Sequence, residues 1–129
     1  MRKDLHSNTG VVPVVAPQVL SATDTSAAID LKGFDAAMLV VNTGAIVSAG
    51  DFTAKLQESD TTTSGDFTDV AAADLTGTLP ATLEAASVYK QGYIGKKRYV
   101  RTVITKNGGT SIAAGAVIVK GLAAMAPVA

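Results

Sequence analysis

The chain contains no cysteine, no tryptophan and one histidine, His6. Without thiols there is no disulfide framework, no thiolate metal site and no cysteine nucleophile. A single histidine leaves His-based metal sites and His-dependent triads without their parts. Aromatic residues make up 5% of the chain and charged residues 17%. Eleven cations balance eleven acids, so the formal net charge is zero. No global field then draws the protein to nucleic acid or to an anionic membrane.

What is present is small and apolar. Hydrophobic residues account for 47% of 129, which excludes a disordered tail and suits one domain with a real core. Much of that content is Ala and Val, and at about 25 cal/mol per Å2 small side chains gain little each. Either the core is plainly Ala-rich, or the chain gains stability by burial against other subunits.

Two stretches have a superficial membrane or targeting character. Arg2 and Lys3 precede an apolar run from Val11 to Leu20, but Asp4, Pro13, Pro17 and Gln18 break the signal-peptide pattern. The Ala/Gly-rich stretch from Ile112 to Ala129 holds Lys120 near its middle. A central Lys costs about 2.5–3.5 kcal/mol on insertion scales, so no membrane span is expected.

Residues 1–26 read as an extended arm, because Pro13 and Pro17 forbid a regular helix. Such an arm lies on its own domain or reaches across to a neighbour. From residue 27 the chain reads as short strands. The continuous apolar run from Ala36 to Asn42 suits a strand buried on both faces, ended by a turn at Asn42-Thr43-Gly44. Phe52 to Glu58 alternates, with Phe52, Ala54 and Leu56 inward. The turn formers from Ser59 to Gly65 return it as a hairpin through Phe67 to Val70. Ala71 to Leu75 suits a helical turn, and Ala81 to Ser87 is ambiguous. Val88 to Ile94 reads as a strand with a bend at Gly92. Arg98 to Thr105 is the clearest strand, and Lys106-Asn107-Gly108-Gly109-Thr110 suits a hairpin returning it through Ser111 to Lys120. About seven short strands at roughly ten-residue spacing predict an antiparallel sandwich or barrel.

No residue set assembles into a catalytic mechanism, so a non-enzymatic protein without cofactor is expected. Asp51, Glu58, Asp60, Asp66, Asp69 and Asp74 crowd the central hairpin, but their spacing is not that of an EF-hand, and solvated turns account for them. Lys90, Lys96, Lys97, Arg98 and Arg101 interleave with Tyr89, Tyr93 and Tyr99. Such a cluster binds single-stranded nucleic acid on some sheets. With zero net charge and no classical sheet motif, it is instead a solvated edge or a patch for an acidic protein surface.

Four stretches carry a resemblance: Ile29 to Asp35, Lys55 to Asp60, Phe67 to Val70, and Gly92 to Arg101. Together they resemble a group of small tailed-phage and prophage head structural proteins, with capsid-decoration (cement) proteins the closest role. The likeness spans roughly residues 27–105. It implies a β-rich protein, usually trimeric, on the outer capsid surface of the virion. Such a protein ties neighbouring copies of the major capsid protein together after assembly in the bacterial cytoplasm.

The combined expectation is an all-β, antiparallel β-sandwich, jelly-roll-like, over residues 27–129, with an extended N-terminal arm over residues 1–26. Its partners would be the major capsid protein and further copies of itself, with no nucleic acid and no membrane. The arm residues Val11, Val12, Val14, Val15, Val19 and Leu20 are the first interface candidates, by strand addition to a neighbour. Lys96, Lys97, Arg98 and Arg101 are the second. Deleting residues 1–20 should then remove binding and leave the domain folded. A head–tail joining or tail-tube protein and a carbohydrate-binding sandwich are the alternatives.

Overall fold

The computed structural model describes residues 4–123. Its strands are β1 Gly10–Leu20, β2 Asp24–Thr25, β3 Ile29–Asp30, β4 Phe34–Val47 and β5 Asp51–Ser59. They continue as β6 Thr68–Asp69, β7 Leu75–Thr76, β8 Val88–Tyr93, β9 Tyr99–Gly108 and β10 Ser111–Ala123. Every pairing is antiparallel, in two sheets. The first has the order β1-β10-β4-β8-β7. The second has the order β2-β9-β5-β6, with β3 also on β9. With β2 and β3 taken as one interrupted strand, the two sheets have the strand order of a jelly roll.

Alternation builds the core. β5 turns Phe52, Ala54 and Leu56 inward, β9 turns Val100, Thr102 and Ile104, β4 turns Leu39 and Val41, and β10 turns Ile112, Ala114, Ala116 and Ile118. Large side chains interleave with alanines, so the apolar content is a mixed core with Ala at the close contacts. Each fully buried Leu, Ile or Phe contributes about 1.5–3 kcal/mol.

The two sheets join at one end through two crossing corners. Between β4 and β5, Ser48 and Ala49 take positive φ of 49° and 56°. Between β9 and β10, Gly109 takes φ +71°, and a Cβ there would strike the Ala49 carbonyl. The corners therefore lock together, and only glycine fits at position 109.

Several local expectations change. The segment Lys106 to Thr110 does not close a hairpin: β9 pairs with β5, and β10 crosses to the other sheet to pair with β4 and β1. β4 runs through Asn42-Thr43-Gly44 to Val47, because the Thr43 N–H donates to the Ser87 carbonyl at 2.8 Å and its side chain is held by the same loop. Nor is β4 buried on both faces. Leu39 and Val41 are buried, whereas Met38 and Val40, which alternate with them, are half-buried. The ambiguous stretch 81–87 is a loop whose Leu83 plugs the core. The central hairpin forms as expected, with Gln57 opposite Asp69, and Ala72–Asp74 is a 3-10 turn.

The expected arm is part of the sandwich. β1 is the edge strand of the first sheet, paired with β10 from Gly10 opposite Lys120 to Leu20 opposite Ile112. Pro13 and Pro17 are accommodated because β1 is an edge and its register shifts twice, between Pro13 and Val15 and between Val15 and Gln18. Residues 1–3 of that segment, and residues 124–129 of the Ala/Gly-rich stretch, lie outside the described residues. Among the described residues no helix is long and apolar enough to cross a membrane.

Candidate docking face

The two sheets have unlike outer faces. On the second sheet, the outward positions of β5 and β9 are Thr53, Lys55, Gln57, Arg101, Val103 and Thr105, with Asp69 beside Gln57. Four of them form one network: Lys55 Nζ lies 3.1 Å from Asp69, Gln57 donates to Asp69 at 2.8 Å, and Arg101 donates to Gln57 at 2.7 Å. Arg101 also lies over the Phe67 ring, 4.4 Å from its centroid. This face is polar at its surface, although Val103 and the Phe67 beneath Arg101 are buried. Those hydrogen bonds hold the Asp69 carboxyl below its usual range, Gln57 first and Lys55 second.

The first sheet is apolar outside as well as inside. The registers align its outward side chains in rows across β1, β10, β4 and β8. One row is Val11, Val119, Met38 and Gly92; the next is Pro13, Val117, Val40 and Lys90. A third joins Gly115, Asn42 and Val88, with Pro17 packed over Gly115. A fourth holds Val19, Ala113 and Gly44. A groove of about 650 Å3 runs between the β1 prolines and β4, floored by Ala113 and Gly115. Val11, Val19 and Val88 are 63%, 65% and 67% exposed, against the tendency of an antiparallel sheet to place polar residues on its open side.

The arm candidates divide by this geometry. Val15 and Leu20 are buried in the chain's own core, and Val12 and Val14 pack against it. They are not free to meet another chain. Val11 and Val19 stand on the outer face. Met38, Val40, Val88, Val117 and Val119 complete that face without having been among the candidates. For all but Val88 the signal lay in the unbroken apolar runs of β4 and β10, which the pairing now explains as one buried and one open side.

The basic candidates sit elsewhere, on or beside β9 where it pairs with β3 and β5. Arg98 makes two hydrogen bonds to Asp30, at 2.9 and 2.8 Å, and Lys97 pairs with Asp60 at 2.7 Å. The Arg98 guanidinium holds the Asp30 carboxyl down at about 2, and Asp60 raises the Lys97 ammonium. Tyr93 donates to Glu58 at 2.7 Å, and burial first, then that bond, pushes its hydroxyl up. Lys97, Arg98 and Arg101 are thus engaged within the chain. Lys96 is exposed on the rim of a cavity of about 470 Å3 beside Lys32, Phe34 and Asp35. The acids of the central hairpin are dispersed among separate partners: Asp51 on Thr82, Asp66 on Thr61, Asp60 on Lys97. His6 lies in an exposed 3-10 turn.

No family model matches the chain, and no curated protein matches it. Among solved structures it is similar to one titled "Structure of infectious bursal disease virus Gx strain", with 16% identity and a TM-score of 0.43. That alignment covers 87% of this chain and 31% of the other, so this chain spans less than a third of that neighbour's length.

Proposed function

We propose that this chain is a non-enzymatic structural protein of a tailed-phage virion, and that it decorates the capsid by binding the outer surface of the major capsid protein lattice. The observation that carries the reading is the apolar outer face of the first sheet beside the polar outer face of the second. A sheet face bearing Val11, Val19, Met38, Val40, Val88, Val117 and Val119 is suited to being covered by protein. The resemblance of residues 27–105 to phage head proteins supplies the setting. On a lattice, a face of modest area gains strength by repetition, since each bound neighbour raises the effective concentration of the next.

The test is cryo-electron microscopy of heads from the phage or prophage that encodes this chain, produced with and without it. Regular added density over the shell is the expected result. Density confined to a ring at the portal vertex would replace decoration with head–tail joining. Heads of identical composition and stability in both preparations would remove the virion reading.

A further inference from the structure

We propose that the apolar face of the first sheet is covered by a second copy of this chain, related to the first by a twofold axis along the strands. The inference rests on the reading of that face as a protein-docking surface; with a second copy seated there, the pair meets the capsid through its other surfaces.

Area is the first argument. Four strands at about 4.8 Å and four outward rows at about 6.8 Å give a face of roughly 500 Å2. Two copies face to face would cover roughly 1,000 Å2 in total, the lower limit for a specific interface. The two half-faces also match in kind, because apart from Asn42 and Lys90 the outward rows are built from Val, Met, Pro, Ala and Gly.

Charge placement fixes the arrangement. Lys90 is the charged residue of the four rows, at the β8 side of the second row, and those rows hold no carboxylate to pair with it. A twofold axis across the strands would stack β8 on β8 and bring the two Lys90 side chains within one row of each other. An axis along the strands stacks β8 on the partner's β1 and β10 on its β4. Each Lys90 then lays its stem over the other copy's Pro13 and keeps its ammonium at the rim. Val117 meets Val40, and Val119 meets Met38, in both directions, as an isologous pair requires.

The chain's lack of cysteine makes the test direct. Sedimentation velocity on the natural chain should show a concentration-dependent dimer, and Val40→Asp and Val117→Asp should each weaken it about tenfold or more. For the second arm, Pro13→Cys and Lys90→Cys chains are treated with a short bismaleimide, separately and mixed. Cross-linked dimer should form in the mixture and in neither chain alone. Lys90→Cys chains linking to one another would overturn the axis. A natural chain that stays monomeric at every concentration, or a higher oligomer indifferent to Val40→Asp, would overturn the pair. Head binding separates this from the docking reading. A monomer that coats heads, and loses coating on Val40→Asp, sinks the pair and leaves docking standing. Coating unchanged by Val40→Asp, where that variant no longer dimerises, takes the face out of head binding and leaves the pair standing. Should the Asp variants fail to fold, the cross-link decides alone.

Discussion

The Tyr93 hydroxyl donates a 2.7 Å hydrogen bond to Glu58 Oε1 and so ties β8 of the first sheet to β5 of the second. The Tyr93 hydroxyl oxygen in turn accepts the Lys97 backbone N–H at 3.1 Å. Tyr93→Phe leaves a half-buried carboxylate and an N–H without that partner. The expected cost is about 2 kcal/mol, or a Tm lower by roughly 6–10 °C in calorimetry. An unchanged Tm would mean that water replaces the bond at no cost.

Acid should loosen the same end of the molecule. Asp30 holds its proton less readily when folded, at about 2, than at its ordinary 3.8. Its depressed folded value means that its contribution is complete above the unfolded pKa and is lost as the pH falls through the folded one. The Asp30 and Arg98 side chains are 45% and 47% exposed, so the contribution is small and weakened by salt. Denaturant titrations of Asp30→Asn should give a flatter pH dependence than the natural chain between about pH 4 and pH 2. Parallel curves would show that the pair is neutral to stability.

Thr102 offers a change in the other direction. The residue is fully buried and its N–H donates to Ser26 Oγ at 2.9 Å, but its own Oγ1 has no partner among the described residues. A buried hydroxyl without a bond is unfavourable, and valine has nearly the same shape. Thr102→Val is expected to stabilise the fold by about 1 kcal/mol in chemical denaturation. A loss of stability would reveal a bond the hydroxyl makes in solution.

Truncation distinguishes the edge strand from a detachable arm. Removing residues 1–9 spares β1 and should leave the circular dichroism and Tm close to those of the full chain. Removing residues 1–20 takes Val15 and Leu20 from the core and strips the pairing partner from β10. The expected outcome is an unfolded or aggregated product, because a long bare strand edge recruits other chains. A soluble, folded product would restore the arm reading.

The sandwich class and most strands were legible because period-two alternation is local, as at Phe52-Thr53-Ala54-Lys55-Leu56. Partners were less legible. Asn107-Gly108 carries the chemistry of a hairpin, but whether β10 returns beside β9 or crosses to the other sheet depends on Ala49 and Gly50, which are remote in sequence. The outer side of β4 was read as buried for a related reason. An unbroken apolar run looks the same whether both sides of a strand are buried or one side is left open, and the distinction for Met38 and Val40 needs the third dimension. Likewise Asp30 and Arg98 are 68 positions apart, so the basic cluster showed its charge without its partners.

The locked corners also set the tempo at which the molecule forms. Ala49 and Gly109 must meet before either crossing is secure, and β1 cannot dock until β10, at the other end of the chain, is in place. Few contacts are available to a nascent chain beyond the hairpin of β5 and β6. Folding is therefore governed by long loop closures and belongs to the slow regime of milliseconds to seconds typical of non-local β topologies, roughly a thousandfold behind helical proteins of similar size. During that interval the valines of both sheet faces are bare together, and the unfinished chain is at its most prone to aggregate.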